Sequence, residues 1–358
     1  MSKKKICFIA QFPPPIHGLS KAVDTLFNSR LNNKFEFEKI DITKNTCILK
    51  NIIKLIKSDA DLFYFTISQT KYGNLRDLLI LKLVNLKGKK CLIHLHGGNY
   101  RKLFDTEMTN LQRKLNKIAL QGVSGTIVLG RSLRYIFEGI VEDYKILIVP
   151  NCVDDEYIMD DDAFESKIEI QKDKSIKNIL YLSNMIKSKG YRNVLELAKE
   201  EKKRCQSKGV QKYHFDFCGK FFSEEEKEYF SNYVNENKLS EYVSYHGVVT
   251  GDKKRQMLSQ SDFFILPTRY PNEGQPISII EAMANSLYII TTDHAGIPDL
   301  VEDKINGILL KKNDKLTLDM LDTADITGVC LNNRLAVKKY YTQDIYIQNM
   351  ESCFVKIL

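Results

Sequence analysis

The run Glu273-Gly274-Gln275-Pro276-Ile277-Ser278-Ile279-Ile280-Glu281-Ala282-Met283-Ala284 decides how this chain is read. It follows Phe263-Phe264-Ile265-Leu266-Pro267, an apolar run of the length and composition of a buried strand. Pro276 suits the first turn of a helix, where its missing N–H is no loss. The segment therefore reads as strand, glycine-containing loop and helix. Unpaired backbone N–H groups and the dipole at such a helix start favour phosphate. Glu273 and Glu281, one at each end, add acceptors suited to hydroxyl groups. Donors for phosphate beside acceptors for hydroxyls describe a site for a nucleotide-sugar.

The same alternation runs through the whole chain, which is the signature of parallel α/β sheets. Strands are expected at 6–11, 35–42, 62–67, 91–96, 126–129 and 146–149, with amphipathic helical stretches such as 21–31, 75–84 and 111–120 between them. The series stops at Pro150-Asn151-Cys152-Val153-Asp154, and the acidic, poorly periodic segment 154–177 reads as a linker. A second series has strands at 179–182, 214–218, 243–246, 263–266, 288–292 and 307–310, and helices at 191–203, 224–237, 252–259 and 277–285. The expected fold is α/β, with two Rossmann-like doubly wound parallel-sheet domains, 1–165 and 166–339, facing a central cleft. The helical tail, 340–358 at its end, is expected to pack back on the first domain. Ligands of such sheets bind beyond the carboxyl ends of the strands.

With 358 residues, 43% of them hydrophobic and 27% charged, the chain has the composition of an ordinary globular protein. Its eight cysteines include no C-x-x-C pair or tight cluster, which argues for reduced thiols and against a disulfide framework or a zinc site. The first apolar run is too short for a signal peptide or a transmembrane helix, so a cytoplasmic protein is expected, soluble or peripheral on the inner face of the cell membrane. The net charge of +8 is uneven, with about +13 on residues 1–150. That basic half is either a plain solvated surface or an attractor of an anionic partner: acidic lipid, a phosphorylated acceptor or nucleic acid. No nucleic-acid signature accompanies the charge, so no nucleic-acid partner is expected.

Three further loops could carry chemistry. The first strand leads through Phe12-Pro13-Pro14-Pro15-Ile16-His17-Gly18 to a helix near Lys21, a stiff glycine-containing turn after a strand. The fourth strand ends in His94-Leu95-His96-Gly97-Gly98, and alternation puts both histidines on one face. Two ligands are too few for a metal site, and no metal is expected. In the second half, Ser183-Asn184-Met185-Ile186-Lys187-Ser188-Lys189-Gly190 sets two lysines just before a helix start, where phosphate charge would be met. Asp160-Asp161-Asp162, in its linker setting, reads as a solvated charge run.

These residues resemble the family-4 group of retaining glycosyltransferases with the GT-B fold, of the bacterial surface-polysaccharide type, over nearly the whole chain. Glu273 and Glu281 match the E-x7-E motif, and Glu281-Ala282-Met283-Ala284 its E-A-M-A helix. Thr292-Asp293-His294-Ala295-Gly296-Ile297-Pro298-Asp299, with Asn306-Gly307 beyond, is similar to T-D-x-G-G-x-P-E…N-G. Pro150-Asn151-Cys152-Val153-Asp154 is similar to P-N-G-V-D. The resemblance implies that Glu281 accepts from the ribose hydroxyls. Glu273 would hold the transferred sugar beside backbone N–H groups near Gly274 and Gln275, at the helix entered through Pro276 and Ile277. Lys189 falls on the diphosphate-binding lysine, Gly18 on the second glycine of the phosphate-closing loop, and His96 on the histidine near the reacting carbon. Asn184 stands where an arginine is usual, with Lys187 as a substitute; His17 replaces the first loop glycine, and Ala295 and Asp299 replace Gly and Glu.

The implied activity is transfer of a sugar from a nucleotide-sugar, a UDP-sugar first, to a hydroxyl of a glycan or an undecaprenyl-diphosphate-linked acceptor, with retention and no metal or other cofactor. An anionic membrane surface is the expected further partner. A GT-B nucleotide-sugar 2-epimerase and a non-catalytic nucleotide-sugar-binding protein are the alternatives. The first would exchange a proton with solvent and the second would show no turnover.

Overall fold

The computed structural model describes residues 3–15 and 18–358. The chain divides into two compact units: Met1–Cys152 with Asn272–Gln275 and Gln343–Leu358, and Val153–Pro271 with Pro276–Thr342.

The first unit is built on six strands: β1 (Lys5–Ala10), β2 (Glu36–Asp41), β3 (Leu62–Thr66), β4 (Lys90–His94), β5 (Gly125–Val128) and β6 (Ile146–Ile148). They form one parallel sheet in the order β2-β1-β3-β4-β5-β6. Every residue of β3 is buried, because crossover helices cover both faces of a parallel sheet. Strand alternation sends Ile6, Phe8 and Ala10 to one side, into a cluster with Leu62, Tyr64 and the helix Gln343–Ile357, which supplies Tyr346, Met350 and Phe354. The Phe354 ring meets Phe8 edge-on at 6.3 Å and Tyr64 at 6.1 Å. Packing therefore holds this last helix on the first unit.

The second unit repeats the plan with β7 (Lys177–Leu182), β8 (Tyr213–Cys218), β9 (Val243–Gly247), β10 (Phe263–Leu266), β11 (Tyr288–Thr292) and β12 (Gly307–Leu310). Its order, β12-β11-β10-β7-β8-β9, is also parallel throughout. The chain winds one way from β7 to β9 and the other from β10 to β12, so the order reverses between β7 and β10. That is the topological switch point, where loops diverge and leave a crevice at the carboxyl ends. In the first sheet the reversal lies between β1 and β3. The α/β class and the doubly wound parallel sheets expected from the sequence are the observed architecture.

Two local readings need correction. The segment read as a linker carries a helix, Asp161–Asp173, in the second unit, and the sequence-based boundary at 165 falls inside it. The Asp160-Asp161-Asp162 run is exposed, as expected of a solvated charge run, and Asp160 also caps that helix through a 2.7 Å bond from the Ala163 N–H. Asp161 pairs with Arg334 at 2.5 Å and Lys338 at 2.7 Å, and hydrogen bonds from these two cations lower its carboxyl to about 2. The helical tail is two elements, Ile326–Tyr340 in the second unit and Gln343–Ile357 in the first. No disulfide links the eight cysteines. Among the described residues no helix is long and apolar enough to cross a membrane.

Candidate functional site

In the second unit the two loops leaving the switch point are locked together. Gly190 has φ +85°, the left-handed region glycine favours. A Cβ there would lie 2.5 Å from the Pro267 carbonyl oxygen, so only glycine lets the β7 loop lie against the β10 loop. The Arg269 N–H donates to the Ser188 carbonyl at 2.7 Å, closing the contact from the other side. Lys189, half-buried between Ser188 and Gly190, extends its ammonium over the Tyr270 ring, 5.2 Å from the centroid. A cation over an aromatic face is attracted by the ring quadrupole and held in one direction. Asn184 and Lys187 are exposed on the same loop; the Asn184 carbonyl accepts from the Tyr181 hydroxyl at 3.1 Å.

The helix Ile277–Ala284 begins right after Pro276, which occupies the capping position with φ −65°. The sequence reading placed Pro276 inside the first turn; either position suits a residue without an N–H. Ile277 is half-buried at the start, and Glu281 lies one turn in, on the buried side. Burying a carboxylate is costly unless it is paired. Here the pair is Lys254, whose Nζ lies 2.5 Å from Glu281 Oε1 and 4.3 Å from the centroid of the Tyr157 ring. Tyr157 is itself fixed, its hydroxyl accepting from the Gly251 N–H at 3.1 Å and its carbonyl from Asn285 Nδ2 at 2.6 Å. Lys254 and Tyr157 were missed by sequence reasoning. Lys254 sits in the charged run Asp252-Lys253-Lys254-Arg255, where nothing distinguishes it from its neighbours.

In the first unit Gly18 opens the helix Gly18–Phe27 after β1, at the switch point of that sheet, with the Ser20 hydroxyl donating to the Pro15 carbonyl at 2.9 Å. His17 lies outside the described residues. His94, the last residue of β4, and His96 just beyond it stack, ring centroids 3.9 Å apart. His94 is fully buried, and Tyr64 Oη lies 2.7 Å from its Nδ1. Burial, and then the neighbouring His96, push the His94 pKa well down, while burial pushes the Tyr64 hydroxyl up. His94 is thus a neutral ring that shares a hydrogen bond with the Tyr64 hydroxyl, and His96, only half-buried, stacks against it. Tyr64 is a third residue the sequence did not flag.

Glu273, Gly274 and Gln275 belong to this unit. A Cβ on Gly274 would lie 2.9 Å from the His96 carbonyl oxygen and 3.0 Å from Gly97 Cα, so the backbone passes His96 at a distance no side chain allows. The Asn151 N–H donates to Gln275 Oε1 at 2.7 Å, and Asn151 Nδ2 to the Gln275 carbonyl at 2.9 Å. Gln275 Nε2 is left buried with no hydrogen-bond partner among the described residues. A buried orphan donor is rare in native proteins and marks a place where bonding is completed by something else. Glu273 is buried beside it. Sequence reasoning took from Gln275 only its backbone N–H, and from Asn151 only a motif match.

The structure thus gathers Lys189, Tyr270 and the Ile277–Ala284 helix with Glu281 and Lys254 in the second unit. It gathers His96, Glu273, Gly274 and Gln275 in the first. No group of three or more potential metal ligands occurs among the described residues.

Residues 162–320, somewhat less than half of the chain, match the family described as "Glycosyl transferases group 1". A curated relative from Escherichia coli K12, the putative colanic acid biosynthesis glycosyltransferase WcaL, is 28% identical over 33% of this chain and 32% of its own. The amylovoran biosynthesis glycosyltransferase AmsK of Erwinia amylovora is 27% identical over 31% and 30%. The chain therefore spans about a third of the length of these relatives. Among solved structures, Anabaena HepE in complex with UDP superposes with a TM-score of 0.73 at 13% identity, covering 99% of this chain and 100% of that one. Sucrose-phosphate synthase from Thermosynechococcus elongatus also reaches 0.73 at 13% identity, covering 99% of each chain. The fold is that of the GT-B glycosyltransferases.

Proposed function

We propose that this protein is a retaining glycosyltransferase that moves a sugar from a UDP-sugar to a hydroxyl of a glycan or lipid-diphosphate-linked acceptor in surface-polysaccharide assembly. The observation that carries the reading is the second unit's switch point, where the Gly190–Pro267 contact holds the Lys189 loop against the loop that leads into the Ile277–Ala284 helix. Cation and helix N-terminus together suit a diphosphate, and Glu281 beyond them suits the ribose hydroxyls. Support for UDP comes from HepE, which was solved with UDP and with UDP-glucose. Support for polysaccharide comes from the colanic acid and amylovoran relatives.

The chemistry follows from where charge develops. The bond between the anomeric carbon and the diphosphate oxygen breaks, and the pair of electrons leaves with the diphosphate. The acceptor oxygen bonds to the same carbon on the same face, and its proton passes to a diphosphate oxygen. Positive charge and N–H donors aimed at the leaving group lower this barrier. Lys189 and the helix start of the second unit would supply them, so the reading calls on no metal. Glu273 and the Gln275 Nε2 donor would hold hydroxyls of the sugar, and His96, fixed by its stack on His94, would stand near the reacting carbon.

The test is a thermal-shift screen against UDP-, GDP-, ADP- and TDP-sugars, followed by donor hydrolysis and transfer assays on Glu281→Ala and Lys189→Ala. Ligand binding raises apparent stability by mass action. If both variants keep the unsubstituted protein's donor affinity, the site is wrongly placed.

A further inference from the structure

The helix Asp161–Asp173 departs from the pattern of a surface helix, which normally turns an apolar stripe inward. Its two buried residues are Lys167, 7% exposed, and Gln171, 6% exposed, while Ile170 stands 65% exposed. Lysine and glutamine are seldom buried without partners, and a buried polar group is the informative exception. The two lie four residues apart on one face of the helix. Both line a cavity of about 440 Å³ with Met159, Lys174, Asn178 and Asp262. Asn178 is the second residue of β7 and Asp262 immediately precedes β10. The cavity is therefore at the amino end of the second unit's sheet, whereas Lys189 and the loop after β10 are at the carboxyl end.

Part of what Lys167 does is structural. Its Nζ donates to the Asn285 carbonyl at 2.8 Å, at the end of the Ile277–Ala284 helix, and to the Leu258 carbonyl at 3.5 Å. That occupies two of the three ammonium protons and supplies no counter-charge. Nor do the groups around it. Asp262 is paired with Lys174 at 2.5 Å, and Lys177 adds a further cation, donating to the Gln171 carbonyl at 3.2 Å. Cys330, on the helix Ile326–Tyr340, stays a neutral thiol, pushed up to about 12 by burial. Burial in turn brings the Lys167 ammonium down to about 8. Gln171 has no structural role of this kind for its side chain: neither Nε2 nor Oε1 has a hydrogen-bond partner among the described residues. Leaving both ends of a buried amide unpaired is costly, which marks them as groups that something else completes.

A buried cation without a counter-ion favours a single negative charge. An amide with a free donor and a free acceptor favours a ligand that carries both an acceptor oxygen and an O–H. A carboxylate beside a hydroxyl supplies all three, and the cavity has the size of a small-metabolite site. We propose that the amino end of the second unit's sheet holds a binding site for a small hydroxy-carboxylate. Its carboxylate accepts from Lys167 Nζ and Gln171 Nε2, and its hydroxyl donates to Gln171 Oε1. The site shares no residue with the proposed donor site and stands apart from that reading.

The test is isothermal titration of the full chain with glycerate, glycerol and inorganic phosphate at pH 7. Glycerate should bind, and glycerol, which lacks the charge, and phosphate, whose second charge finds no partner, should bind about tenfold more weakly. Lys167→Met should abolish glycerate binding and Gln171→Leu should weaken it about tenfold, with both variants still unfolding cooperatively on heating. The unsubstituted chain gives a second readout that needs no variant. Only the ammonium form of Lys167 holds a carboxylate, so glycerate affinity should fall about tenfold between pH 7 and pH 9. The proposal is overturned if glycerate does not bind, or if glycerol or phosphate binds as well as glycerate. A folded variant that binds like the unsubstituted chain, or an affinity unchanged up to pH 9, overturns it equally.

Discussion

Lys254 Nζ lies 2.5 Å from Glu281 Oε1, with both side chains largely buried in the second unit. The pair joins two helices, Gly251–Gln260 and Ile277–Ala284. Removing one partner of a buried ion pair leaves an uncompensated charge, which costs about 3 kcal/mol or more. Lys254→Met should therefore lower thermal stability more than Glu281→Gln. Adding Glu281→Gln to Lys254→Met should recover part of the loss, and a double-mutant cycle by chemical denaturation reads the coupling. Strictly additive losses would mean the pair does not form.

Lys189→Ala removes one charge-assisted contact to the diphosphate, worth about 1.5–3 kcal/mol, or roughly tenfold to a hundredfold in UDP affinity. Isothermal titration with UDP and with uridine separates the role. The variant should lose UDP affinity and bind uridine as before, because only the phosphates meet the lysine.

Gly190→Ala puts a Cβ 2.5 Å from a backbone oxygen at a φ of +85°. The left-handed conformation alone costs about 1–2 kcal/mol for a residue with a side chain, and the clash adds to it. Unfolding free energy should drop by about 2 kcal/mol or more, and UDP affinity should fall with it, since the β7 loop must shift and carry Lys189 along. A variant as stable as the parent would show that the two loops do not touch.

His94 predicts a pH dependence of stability. Burial depresses its folded-state pKa below the unfolded value of 6.5. Below that pH the unfolded chain takes up a proton that the folded protein refuses. The stabilisation is therefore complete above pH 6.5 and is lost as pH falls, by up to about 1.4 kcal/mol per pH unit. His94→Gln, which keeps an acceptor for the Tyr64 hydroxyl, should flatten the curve between pH 6.5 and 5 in urea denaturation. An unchanged slope would falsify the neutral buried ring.

The central strands were legible because a strand buried on both faces leaves an unbroken apolar run between turn residues, as in Phe263-Phe264-Ile265-Leu266. The helix Asp161–Asp173 was not, because its exposed face is charged and its buried face is short, so acid content hid the period. The helix Ile48–Lys57 was not read either, although its apolar residues and its lysines fall on separate sides.

The sequence by itself determined two doubly wound α/β sheets, the place of Glu281 in a helix, and the places of Glu273, Lys189, Gly18 and His96 in the segments that follow strands, since periodicity and turn chemistry are local. Only the tertiary structure decided what stands beside them. Lys254 reaches Glu281 across 27 residues of sequence, Tyr64 reaches His94 across 30 and Asn151 reaches Gln275 across 124. Such partners are chosen by strand order and packing, and no local pattern records them.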